Sequence, residues 1–206
     1  MSPALDPRSF FTEKMPKDWN RALDEQAQAV VAAQKVLDGM RAVNATIRYD
    51  VRGEGGGTFY LNVAEGRMTT DDAPAHPPFM TLVQERADFE RLAAEAGDSA
   101  LGMLGGLSGL AGGMKLTAGR LANLDGLEGA LLFTVSGPAG YAILTCFGGN
   151  EIPAEPNTTL TVDMDAYRQL RAGEIDPQGA FMSGKIKVSG DMQLAMQLAL
   201  AALSPD

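Results

Sequence analysis

The sequence predicts an α+β fold made of two tandem units. Three observations carry this. Alternating β-like runs around glycine-rich turns occur twice, at 46–63 and at 130–147. Helical periodicity appears before, between and after them. And the chain repeats itself: with an ungapped offset of 78, Pro78 meets Pro156, Phe89 meets Tyr167, Leu92 meets Leu170, Gly106 meets Gly184, Gly112 meets Gly190 and Met114 meets Met192. The hairpins correspond too, Val51 with Val135 and Gly53 with Gly137, after a small change of offset.

Residues 1–16 read as an irregular lead-in with Pro3, Pro7 and Pro16. From Lys17 to about Arg41 the spacing of Trp19, Leu23, Ala27, Val30, Val31, Leu37 and Met40 predicts an amphipathic helix, with Asp18 as its cap. Thr46–Arg52 and Phe59–Val63 then form a hairpin around Gly53–Gly57. That turn is not a phosphate loop, because no Gly-Lys-Ser/Thr and no helix follow it. Ala64–Pro78 is expected to be a loop, Met80–Gln84 a short strand and Asp88–Ala96 a helix. Gly102–Gly113 is too glycine-rich to assign. Met114–Leu124 returns to helix.

The pattern then restarts. Ala130–Ser136 and Tyr141–Phe147 flank Gly137–Gly140, Thr159–Val162 is a strand, and Asp165–Ala172 is a helix. Asp176-Pro177 starts a short helix that Gly184 ends, since Asp caps and Pro is tolerated at the first position. Lys185–Ser189 alternates as a strand, Gly190 turns the chain and Asp191 caps the last helix. Met192, Leu194, Ala195, Met196, Leu198, Ala199, Leu200 and Leu203 make that helix apolar over most of its circumference. Such a helix needs cover on more than one side. It is either core between two units or one wall of a lipid-sized cavity. Composition alone favours core, while its methionines suit ligands of variable shape. The expected organisation is a lead-in and helix over 1–42, a first, degenerate unit over 43–125 and a second unit over 126–206.

Charge and composition remove several function classes. A net charge of −9 argues against nucleic acid and against docking on anionic lipid by charge alone. One cysteine, Cys146, excludes an intramolecular disulfide and suits a reducing, cytoplasmic setting. No apolar run is long enough to span a bilayer, and the N-terminus lacks a secretory h-region. No catalytic constellation forms: His76 stands alone in a proline-rich loop, Cys146 lies in a strand without a histidine, Asp163 and Asp165 are spaced as a cap, and Ser183 is not in a nucleophile elbow. No metal site or cofactor is expected.

GEIDPQGAFMSGKIKVSGDMQLAMQL resembles the C-terminal signature of the sterol carrier protein 2 family. The resemblance rests on Asp-Pro-Gln before an apolar helix, Phe181, Gly184-Lys185 leading a strand, Gly190, Met192 and Leu194-Ala195-Met196. It is specific over Thr159–Leu200 and weaker over Gly129–Phe147, and Asn44–Leu92 resembles the family's opening strands. The resemblance implies sterol-carrier-like units, each a curved, roughly five-stranded sheet covered by helices around an apolar tunnel, duplicated in tandem. It implies binding of a sterol, fatty acid, fatty acyl-CoA or isoprenoid without chemistry, with only transient membrane contact. The implied tunnel residues are Phe181, Met182, Ile186, Val188, Met192 and Met196, with Ile143 and Phe147 from the hairpin. Gln178 would meet a polar head at the mouth. The first unit keeps the Gly, Met and Leu positions of the signature but lacks the counterparts of Pro177, Gln178, Phe181 and Lys185. The alternative is an interaction or accessory module that keeps the fold without a ligand.

Overall fold

The computed structural model describes residues 6–97, 115–148 and 151–203. Its centre is one sheet of eight strands: β1 Ala45–Arg52, β2 Gly57–Ala64, β3 Arg67–Asp71, β4 Pro78–Glu85, β5 Gly129–Ser136, β6 Tyr141–Phe147, β7 Thr158–Asp163 and β8 Ile186–Gly190. The order across the sheet is β3-β2-β1-β4-β6-β5-β7-β8. The helices are α1 Met15–Arg41, α2 Arg86–Ala96, α3 Ala118–Asp125, α4 Met164–Arg171, α5 Pro177–Met182 and α6 Met192–Leu203.

The same supersecondary unit occurs twice. β1 and β2 form an antiparallel hairpin, and β4 then adds parallel to β1. β5 and β6 form the second hairpin, and β7 adds parallel to β5. Each parallel strand leads into a helix, α2 or α4. The α+β expectation is met, but the sheets are not separate five-stranded ones. β4 pairs antiparallel with β6, which merges both halves into one sheet. In the second half β8 lies beside β7. The equivalent place beside β4 is taken by β6, so the first half has no slot there for a copy of β8. The unassigned segment 102–113 lies outside the described residues.

Side chains of registered pairs share a face, since strand side chains alternate. Ile47, Tyr49, Leu82, Ile143, Phe133 and Val162 lie on the face the helices cover, and all are buried. α2 contributes Leu92, α4 Tyr167 and Leu170, α6 Leu194 and Leu198 to the same core. Across the junction Glu95 of α2 accepts two hydrogen bonds from Arg168 of α4, at 3.1 and 2.8 Å, and its backbone carbonyl accepts one from Arg171 at 2.9 Å.

Three local expectations are corrected. The segment expected as a loop over 64–78 contains β3. Glu65 and Gly66 both have positive φ, 51° and 74°, as a two-residue turn between β2 and β3 requires. The N-terminal helix begins well before Asp18. Asp6 caps a short turn at Pro7–Ser9, a π-helical turn at Phe10–Lys14 follows, and α1 continues from there. Pro16 sits in the first turn of α1, where a missing N–H is tolerated. Asp18 instead bonds Lys14 and Arg21. α3 starts only after Thr117, whose hydroxyl accepts the Arg120 N–H.

The β2–β3 turn also holds the end of α1. A Cβ at Gly66 would lie 2.5 Å from the Met40 carbonyl oxygen, and φ there is left-handed. Gly66→Ala should therefore destabilise the fold by about 1–3 kcal/mol, read as a lower urea midpoint. The inter-half ion pair predicts a pH dependence. The Arg168 guanidinium, hydrogen-bonded to Glu95, holds its carboxyl below the ordinary carboxylate value. A carboxylate lowered in the folded state adds stability above its unfolded value and loses it as pH falls through the folded one. From pH 6 to about pH 3, wild type should lose more stability than Glu95→Gln.

Candidate functional site

The site region lies between the second half of the sheet and α4, α5 and α6. Its floor is built by register: Phe133 pairs with Ile143 and Leu160, Val135 with Val162, and Val162 with Ile186. Phe133 and Ile143 are fully buried. Above them lie Tyr167 and Leu170 of α4, Ala180 of α5, and Leu194, Leu198 and Ala201 of α6. Tyr167 meets Phe133 at 6.1 Å and Tyr141 edge-on at 5.9 Å between ring centroids.

The predicted site residues separate into two groups. Ile143, Phe147 and Ile186 are buried in the core, and Val188 is half-buried against it. Phe181 and Met182 of α5 and Met192 and Met196 of α6 face outward, Met182 at 79% and Met196 at 61% exposed. Gln178 is exposed. The inward face of α6 consists of Leu194, Leu198 and Ala201, which sequence reading did not single out. Gln193 and Gln197 are the only polar residues of this helix, so most of its outer face carries no polar mark. Leu131 and Phe133 of β5 were also missed, and their alternation with Ala130 and Leu132 was too uniformly apolar to assign a face.

One anchor fixes where α6 begins. Asn157 accepts the Ala130 N–H on its side chain at 2.8 Å and the Asp191 N–H on its backbone oxygen at 2.8 Å. The Thr158 hydroxyl donates to the Asp191 carbonyl at 2.7 Å. Gly190 has φ 88°, and a Cβ there would sit 2.2 Å from the Asn157 carbonyl oxygen, so only glycine fits. Asp191 then caps α6 by accepting the N–H groups of Gln193 and Leu194, at 2.8 and 3.2 Å. These hydrogen bonds hold the start of the helix, and Leu194, Leu198 and Ala201 pack its body on the core. α5 is fixed more simply: Asp176 accepts the Gly179 N–H at 2.7 Å. Lys185 ties the start of β8 to α4 through Gln169 at 2.9 Å, which gives this signature lysine a structural role.

The corresponding place in the first half is polar. The buried Tyr49 hydroxyl donates to Gln84, whose amide nitrogen donates to the Ala142 carbonyl at 2.9 Å. The second half has Phe133 and Val162 at the matching positions. Burial holds the Tyr49 phenol neutral by raising its pKa, and it raises the Cys146 thiol too. A buried thiol in the protonated form is a poor nucleophile. Among the described residues no three His, Cys, Asp or Glu side chains converge as a metal site, and no helix is long and apolar enough to cross a membrane. Asp191→Ala should cost about 1 kcal/mol. It should raise amide exchange through α6 ahead of α4 if the cap governs how α6 is seated.

Stretches of the chain are similar to parts of longer proteins. Sterol carrier protein 2 of Rattus norvegicus is 42% identical over 48 residues, 23% of this chain and 9% of the relative. Hydroxysteroid dehydrogenase-like protein 2 of Homo sapiens is 38% identical over 74 residues, 32% of this chain and 18% of the relative. Peroxisomal multifunctional enzyme A of Dictyostelium discoideum is 41% identical over 44 residues, 21% and 10%. The chain thus spans less than a fifth of each of these relatives. Among solved structures, Sterol Carrier Protein 2 Like 2 from Aedes aegypti is 22% identical over 37% of this chain and 74% of its own, with a TM-score of 0.30. Sterol Carrier Protein 2 from Yarrowia lipolytica in its apo form is 24% identical over 34% and 68%, with a TM-score of 0.27. Residues 114–202, which run from just before α3 through almost all of α6, match the SCP-2 sterol transfer family.

Proposed function

We propose that the second half binds and transfers an apolar lipid, a sterol, fatty acid, fatty acyl-CoA or isoprenoid, without catalysing a reaction. The observation that carries this is α6. It is apolar on both faces, with Leu194 and Leu198 inward and Met192, Met196 and Leu200 outward, and its first turn carries a hydrogen-bonded anchor. Pivoting there, it would uncover a floor made of Ile143, Phe147, Ile186 and Val188. Phe181 and Met182 of α5, with Met192 and Met196 of α6, would then form the movable wall, and Gln178 would take the polar head. Affinity would come from removing ligand surface from water, at roughly 25 cal/mol per Å².

The first half reads as a partner that has lost this capacity within a tandem pair of units, 43–125 and 126–206. Its Tyr49–Gln84 pair stands where an alkyl chain would need apolar lining, and β6 fills the strand position that β8 holds in the second half. The outward methionines suit brief contact with a membrane during loading, and the reduced, buried Cys146 suits a cytoplasmic setting.

A second reading, an accessory module without a ligand, is favoured by one observation: Leu194, Leu198 and Ala201 already fill the space over the sheet. One experiment separates the two. Protein purified from cells is extracted with organic solvent for mass spectrometry, and displacement of a fluorescent fatty acid is measured alongside. Co-purified lipid and saturable displacement support the proposal. A clean extract with no displacement by acyl chains or sterols establishes the accessory reading. Met196→Asp should weaken displacement about tenfold, near 1.4 kcal/mol, with the circular dichroism unchanged. Equal affinity in the folded variant would remove Met196 from the wall.

A further inference from the structure

α1 is the longest element, and no side chain in its 27 residues is buried. Trp19 is 75% exposed, Leu23 64%, Val30 70% and Leu37 40%. At 3.6 residues per turn these four share one stripe with Gln26 and Ala33. Among the described residues, α1 comes close to the rest of the chain at its C-terminal turns, where Gly39 lies against Thr117 and the Met40 carbonyl against Gly66. The stripe runs about 27 Å from Trp19 to Leu37, broken by Gln26, and four large exposed apolar residues in line are more than the singly scattered ones of a monomer surface.

Charge decides what covers it. A helix that lies on lipid carries Lys and Arg along its polar face. In α1, Lys17, Arg21, Lys35 and Arg41 are balanced by Asp18, Asp24, Glu25 and Asp38. The formal charge of −9 therefore sits on the rest of the chain, which anionic lipid repels. A neutral helix whose charges, apart from Arg41 at its end, lie off the stripe suits another neutral helix.

We infer that α1 pairs antiparallel with α1 of a second copy of this chain, about a two-fold axis at Val30. In that register Val30 meets its own copy, Leu23 meets Leu37, Glu25 lies across from Lys35, and Trp19 lies across from Arg41. Ala33 is small enough to let the helices approach closely, and no like charges face each other across the stripe. Orientation follows from the same electrostatics. Parallel pairing would set two strongly negative bodies side by side. Antiparallel pairing places them at opposite ends of the helix pair, several screening lengths of about 8–10 Å apart. The interface is isologous, so it closes at two copies.

Sedimentation equilibrium on the full chain tests the pairing. The expected mass is twice the 21.7 kDa of one chain, falling to that of one chain on dilution, with the emission of Trp19, the sole tryptophan, shifting to the red. Val30→Glu sets two carboxylates on the axis and should give a monomer whose urea midpoint is unchanged. Orientation is read with a short bis-maleimide. Val30→Cys should crosslink to itself, and Leu23→Cys should crosslink to Leu37→Cys but not to itself. Self-crosslinking of Leu23→Cys would overturn the antiparallel arrangement. A wild-type monomer at about 100 μM would overturn the pairing itself. So would a monomer whose Trp19 emission shifts to the blue only on phosphatidylcholine–phosphatidylglycerol vesicles.

Discussion

The pairing of β4 with β6 is the constraint on which the rest depends. It joins Met80 with Phe147, Thr81 with Cys146, Leu82 with Thr145 and Val83 with Leu144. Without it there are two hairpin-and-helix units, each with a bare strand edge. With it the sheet runs unbroken for eight strands, and α2 to α6 contribute side chains to one core. Tyr49, Gln84 and Ala142 form a hydrogen-bonded bridge across the same seam. The Glu95–Arg168 pair spans the two halves above it, between α2 and α4.

The seam also explains why the two halves differ in sequence. In the second half the strand beside β7 is β8, so Lys185, Gly190 and Asp191 are needed to enter and leave that strand. In the first half the place beside β4 belongs to β6, and residues that launch a further strand there have nothing to launch. The absence of counterparts of Pro177, Gln178, Phe181 and Lys185 in the first half fits that geometry.

Much of this was legible in the sequence. Period-two alternation broken by glycines located β1, β2, β5 and β6, because a half-buried strand must alternate and a tight turn needs positive φ. Capping residues gave the starts of α5 and α6. β3 was not legible: Arg67–Asp71 has one large apolar residue and no bulk to mark it as a strand, and its turn rests on Glu65 as well as a glycine. Pro7 and Pro16 read as breakers, yet Pro7 opens the turn that Asp6 caps, and Pro16 follows the π-helical turn Phe10–Lys14, through which the helix continues. The inward face of α6 could not be read because both faces are apolar. The seam could not be read because nothing local in Met80–Val83 names a partner more than sixty residues away.

That separation has a consequence for how the chain reaches its native state. Each hairpin closes a short loop and each forms early, whereas the seam must wait for both halves. A partly folded chain therefore carries two matching open edges, one on β4 and one on β6. A second chain caught at the same stage offers the same two edges. Protein concentration during refolding then decides between closure within one chain and an exchange of halves between two.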